Sequence, residues 1–213
     1  MKEPRPKVLA TVKLPEAVES RLSSTYDVTL NTDNKFLSKD ELSRAMTQYN
    51  ALVSTISDRL DKDILCTTGR KVHMIANVGV GYSNIDTNTA RSESITVSNT
   101  PDVLTDATAD IALLLILAAT RGAYAAEKKL RENQWNEFSL VQGLGSSVQG
   151  KVLGIIGMGR IGQATAKRAI FGLGMKVIFF NRSVITNLDF EATQLDTIDE
   201  VMASADVVSI HVP

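Results

Sequence analysis

From Lys7 onward, short apolar runs alternate along the chain with amphipathic stretches. The runs near residues 8–12, 28–30, 51–53, 74–76 and 96–97 predict strands, and the intervening segments 16–23, 38–46 and 61–67 carry helical spacing. Strands and helices in alternation predict a parallel sheet covered by helices, so residues 1–100 read as one α/β domain. Thr100-Pro101-Asp102 interrupts the pattern. Two helices follow, one from about Thr105 and one over 123–133. An irregular link over 135–150, with Gly143, Gly145 and Gly150, then leads into a second alternation. That series runs from a strand at 152–156 through a helix at 163–171 to a strand at 176–180. It continues with a capping box, Thr197 to Glu200, that opens a short helix, and ends on a strand at 206–211. Residues 101–213 therefore read as a second domain.

Between the strand at 152–156 and its helix stands Gly157-Met158-Gly159-Arg160-Ile161-Gly162, a G-x-G-x-x-G turn in a βαβ setting. Each glycine answers a separate need: a tight turn at Gly157, close approach of a diphosphate at Gly159, and helix-on-strand packing at Gly162. The phosphates of a dinucleotide then meet a helix N-terminus, with its unpaired N–H groups and positive dipole end. The next strand ends in Asn181-Arg182-Ser183, where NAD sites place a carboxylate for the ribose 2′-hydroxyl. A guanidinium and a hydroxyl in place of that carboxylate favour NADP over NAD, the alternative being that Arg182 is a solvated turn residue. Arg160, beside the turn, is either a pyrophosphate contact or an exposed helix-start arginine.

Composition narrows the picture. A 213-residue chain that is 44% hydrophobic and 22% charged has enough apolar material for a sizeable core. A net charge of −1 without basic clusters leaves no footprint for nucleic acid or an anionic membrane. Cys66 is the single cysteine, which rules out an internal disulfide and suits a cytoplasmic location; no metal site is expected. The polar start, Met1 to Lys7, lacks the apolar core of a signal peptide. The apolar run at 111–119 is too short to span a bilayer and is expected to be a buried helix, between domains or at a subunit interface.

Two further segments bear on function: Asn77-Val78-Gly79-Val80-Gly81-Tyr82-Ser83-Asn84-Ile85-Asp86 and Asn99-Thr100-Pro101-Asp102-Val103-Leu104-Thr105-Asp106-Ala107-Thr108-Ala109-Asp110. With the glycine turn and the closing Ser209-Ile210-His211-Val212-Pro213, they make the chain resemble the D-isomer-specific 2-hydroxyacid dehydrogenases, and among them the glyoxylate/hydroxypyruvate reductases. The resemblance implies a flavodoxin-like substrate domain facing a Rossmann cofactor domain across a cleft. It implies hydride transfer between NADP(H) and a small 2-oxo acid, and a homodimer.

By position, it implies that the amides of the Val78-Gly79 turn hold the substrate carboxylate and that Thr105 contacts the nicotinamide half, its plainer reading being an N-cap. His211, Val212 and Pro213 would line the adenosine pocket. The family's catalytic arginine, glutamate and histidine correspond to positions past Pro213, so none is assigned here. The chain reads as C-terminally incomplete, its Rossmann domain without a second half and its last strand exposed to aggregation. His73 and His211 are the two imidazoles, and neither has a recognisable orienting carboxylate. A non-catalytic NADP(H)-binding sensor or corepressor-like protein is the alternative function, and phosphoglycerate or phosphite dehydrogenases are the alternative substrate classes.

Overall fold

The computed structural model describes residues 4–135 and 139–212, so Pro213 lies outside the described residues. The chain divides into two compact units, Met1–Pro101 and Asp102–Pro213.

The first unit runs β1 (Lys7–Ala10), α1 (Glu16–Thr25), β2 (Asp27–Thr29), α2 (Lys39–Gln48), β3 (Ala51–Thr55), α3 (Lys62–Leu65), β4 (Met74–Val78), α4 (Thr87–Ser92) and β5 (Thr96–Ser98). Its five strands are all parallel, in the order β2-β1-β3-β4-β5, which is flavodoxin-like. Leu52, Ile75, Leu42, Met46, Leu60, Ile64, Leu65 and Val72 form the centre of its core. Side-chain caps start three of its four helices: Ser38 and Glu41 close a capping box on α2, and Asp61 and Asp86 cap α3 and α4, whereas α1 follows Pro15 without one. The alternation along the sequence did not reveal α4.

The second unit runs α5 (Thr105–Arg121), α6 (Ala123–Arg131), β6 (Val152–Ile156), α7 (Arg160–Leu173), β7 (Lys176–Phe180), β8 (Thr193–Gln194), α8 (Ile198–Ser204) and β9 (Val207–Ile210). The parallel order β8-β7-β6-β9 is, counted along the chain, the 3-2-1-4 arrangement of a doubly wound dinucleotide sheet, whose strand order reverses between β6 and β9. Leu153, Gly154, Ile155 and Ile156 of β6 are all buried, as befits a central parallel strand covered on both faces. Helix α7 ends at Gly174 in the left-handed conformation (φ 61°), and the capping box of Thr197 and Glu200 opens α8. The two-residue strand β8 was not foreseen.

Within the second unit, helix α5 is buried along one face only. It packs one face on α7, burying Ala109 and Ile116, and Arg168 of α7 bonds Asp106 and Asp110 at 2.9 and 2.7 Å. Its opposite face leaves Ile111, Leu114 and Leu115 more than half exposed. A uniformly apolar sequence cannot say how many faces find a partner within the chain; here α7 supplies one. Nor does Thr105 cap α5: Leu104 holds that position, and Thr105 is the first helical residue. No single helix among the described residues is long and apolar enough to cross a membrane.

Candidate functional site

In the second unit the glycine turn sits at the carboxyl end of β6, beside the point where the strand order reverses. Gly157 has φ 97°, and a Cβ on it would stand 2.7 Å from both the His211 carbonyl oxygen and the Val212 side chain. The turn thus lies directly against the end of β9, which is also fastened by the His211 amide donating to Ile156 O at 2.8 Å. Gly162 packs its Cα onto the Gly157 carbonyl, with no space for a side chain. Gly159 is the opposite case: a Cβ there would meet nothing within 4 Å, so this face of the turn is open to a ligand. No side chain caps α7, which leaves its first-turn amides available to an anion.

Met158 contributes to the footing of the turn. Its side chain is 1% exposed in the core, its amide donates to Asn181 Oδ1 at 3.2 Å, and its carbonyl accepts from Gln163 Nε2 at 3.2 Å. Ile161 is half-buried on α7. Arg160 is exposed and pairs through Nε with Asp102 Oδ1 at 2.7 Å. The structure therefore brings Gly157, Met158, Gly159, Arg160, Ile161 and Gly162 together with Asn181, Arg182, Ser183, His211 and Val212 at the carboxyl edge of one sheet, where such sheets bind ligands.

After β7, Arg182 and Ser183 are exposed, and no carboxylate occupies residues 181–183. The His211 ring lies 2.9 Å from Ser209 Oγ, and burial pushes its pKa below the usual imidazole value.

In the first unit, the turn that follows β4 is tied down through its carbonyls. The Gly79 carbonyl accepts from Thr100 N at 2.9 Å, the Val80 carbonyl from Asn99 Nδ2 at 2.9 Å, and the Gly81 carbonyl from Asn77 Nδ2 at 2.9 Å. The carbonyls of the turn are thus engaged, while its three successive N–H groups, of Gly79, Val80 and Gly81, have no partner among the described residues. Sequence reading located this turn at Val78 and Gly79 but missed Asn77, Asn99 and Thr100, which orient it. Val78 itself closes β4 with its side chain 44% exposed. At the reversal point of this sheet, between β1 and β3, Thr11 Oγ1 donates a buried bond to Asp58 Oδ2 at 2.6 Å. His73 is exposed just before β4, about 16 Å along the strand from that turn, too far to give it a proton.

A doubly wound sheet with an open glycine turn and an uncapped helix behind it defines a dinucleotide-binding unit, and known proteins agree with this. The family model "D-isomer specific 2-hydroxyacid dehydrogenase, NAD binding domain" matches residues 113–213. The chain is 36% identical to glyoxylate reductase of Pyrococcus horikoshii over 98% of its own length and 64% of that enzyme's. It is 31% identical to glycerate dehydrogenase of Hyphomicrobium methylovorum, over 97% of the chain and 65% of the relative. The crystal structure of the TT0316 protein of Thermus thermophilus superposes with a TM-score of 0.85 at 36% identity, covering 97% of this chain and 65% of that one. The chain belongs to the D-isomer specific 2-hydroxyacid dehydrogenase family, and it spans 64% of the length of the glyoxylate reductase it matches.

Proposed function

We propose that the chain supplies the substrate-binding and coenzyme-binding parts of an NADPH-dependent reductase of small 2-oxo acids, glyoxylate or hydroxypyruvate, that yields D-2-hydroxy acids. The observation that carries this reading is the pairing of two anion-ready turns with a carboxylate-free strand end: Gly159 open at the diphosphate position, free amides at residues 79–81, and Arg182 with Ser183 after β7. NADPH, when bound, supplies the hydride that reduces the keto carbon.

Within this division of labour, the glycine turn and the first turn of α7 hold the diphosphate, with Arg160 beside it. Arg182 and Ser183 take the ribose 2′-phosphate, a group that a carboxylate at that position would repel. His211 and Val212 wall the coenzyme side of the turn, and Thr105 serves the nicotinamide half. The amides of the β4 turn fix the substrate carboxylate and so orient the oxo group next to it. The polarising cation and the proton donor are not among the residues assigned here.

The apolar stripe of Ile111, Leu114 and Leu115 supports a homodimer built on α5, and a lone free cysteine suits a cytoplasmic enzyme. Equilibrium titration of wild type and Arg182→Ala with NADPH and NADH tests the central assignment. Wild type is expected to favour NADPH, and the variant to lose that preference; equal affinities in the wild type would refute it.

A further inference from the structure

Two amide side chains pin the loop after β7. Asn181 accepts the Met158 amide through Oδ1 and donates through Nδ2 to the Ser183 carbonyl at 3.0 Å and the Ser183 hydroxyl oxygen at 3.1 Å. Gln194, from β8, donates through Nε2 to the carbonyls of Asn181 at 3.2 Å and Ser183 at 3.1 Å, and its Oε1 accepts the Ile185 amide at 3.0 Å. Together these bonds draw the carbonyls of residues 181 and 183 toward Gln194. Because the Ser183 oxygen already accepts from Asn181, its own proton is free to donate. A phosphate dianion accepts hydrogen bonds, whereas a ribose hydroxyl both donates and accepts, so a loop that hides its carbonyls and offers a guanidinium and an O–H suits the phosphate.

We propose that Gln194 is a positioning residue for the 2′-phosphate of the coenzyme: it holds the carbonyls of Asn181 and Ser183 away from the ligand and so presents Arg182 and Ser183 to it. The inference rests on the NADPH reading above. Without Gln194, the Asn181 carbonyl is released to turn outward, where it repels a phosphate but still accepts a bond from the 2′-hydroxyl of NADH, while the Ser183 carbonyl keeps only its bond from Asn181 Nδ2. Discrimination falls, therefore, while general coenzyme binding survives.

Fluorescence titration of the 213-residue chain with NADPH and NADH tests this in wild type, Gln194→Met, Arg182→Ala and the double variant. Gln194→Met is expected to weaken NADPH binding about tenfold, the scale of one charge-assisted hydrogen bond, while NADH affinity changes less than about twofold. In the Arg182→Ala background the same substitution should add little, since the group being positioned is gone. Gln194→Ala, which leaves the backbone pairing of β8 with β7 intact, replaces the methionine variant if that one fails to fold. Equal weakening of both coenzymes, or full additivity with Arg182→Ala, would overturn the positioning role. If the wild type binds both coenzymes equally, the NADPH reading falls and takes this inference with it; if Arg182→Ala keeps the wild-type preference, Arg182 is not the group being positioned and the inference falls while the NADPH reading stands. If Arg182→Ala abolishes the preference while both Gln194 variants keep it, the inference alone falls.

Discussion

Replacing Gly162 with alanine places a methyl carbon on top of the Gly157 carbonyl oxygen, 3.3 Å from the Gly157 carbonyl carbon and 3.4 Å from Ile155 Cγ2. Contact at an ordinary distance requires the turn and α7 to separate by roughly 1 Å, and neither can give, because one is backbone and the other carries Thr165, Ala166 and Ala169 fully buried against the sheet. Overpacking of this kind costs about 1–3 kcal/mol, and a backbone clash falls at the upper end. At roughly 4 °C per kcal/mol for a unit of this size, the apo protein should melt about 10 °C lower.

Gly159→Ala is the matched control. Its φ of −77° suits any residue and its Cβ meets nothing, so the apo protein should be unchanged or gain about 0.4–1 kcal/mol from a less flexible unfolded chain. Yet if the coenzyme diphosphate rests against that backbone, a methyl there weakens NADPH by tenfold or more, about 1.4 kcal/mol or above. Thermal unfolding without ligand and coenzyme titration separate the two variants: Gly162→Ala loses stability and binding, Gly159→Ala loses binding alone. Undiminished NADPH affinity in Gly159→Ala would refute the placement of the diphosphate.

Asn99→Ala releases the Val80 carbonyl at the β4 turn and should weaken binding of oxalate, a two-carbon carboxylate probe, several-fold in calorimetric titration; an unchanged constant counts against the amide site. Because burial depresses the His211 pKa, the unfolded chain binds more protons below pH 6.5, so stability should decline as pH drops through that value and level off once the folded imidazole also protonates. Denaturant unfolding between pH 8 and roughly pH 5 should show this slope in wild type and its loss in His211→Gln. Leu114→Asp together with Leu115→Asp on the exposed stripe of α5 should convert a dimer to monomer in sedimentation experiments, with the melting temperature of the unit little changed.

The parts of the fold that announced themselves in sequence are those where one residue type answers one geometric need. Gly157 and Gly162 stand where a side chain has no space, and Thr197 with Glu200 satisfies the amides that open α8, so the βαβ unit and its turn could be placed by inspection. Elements held by tertiary bonds were silent. Strand β8 is two residues that pair with Phe179 and Ile178 only after the chain has folded back, and α4 follows an aspartate cap without an apolar repeat of its own. The same division runs through the site. Residues that would touch a ligand, Gly159, Arg182 and the β4 glycines, have chemistry that can be named from sequence. Those that aim them, Asn77, Asn99, Asn181 and Gln194, are ordinary amides whose importance lies in which carbonyl or amide they reach across the fold. Helix α5 shows a third limit: its composition gives its hydrophobicity but not its partner, and Ile111, Leu114 and Leu115 face outward on the side away from α7.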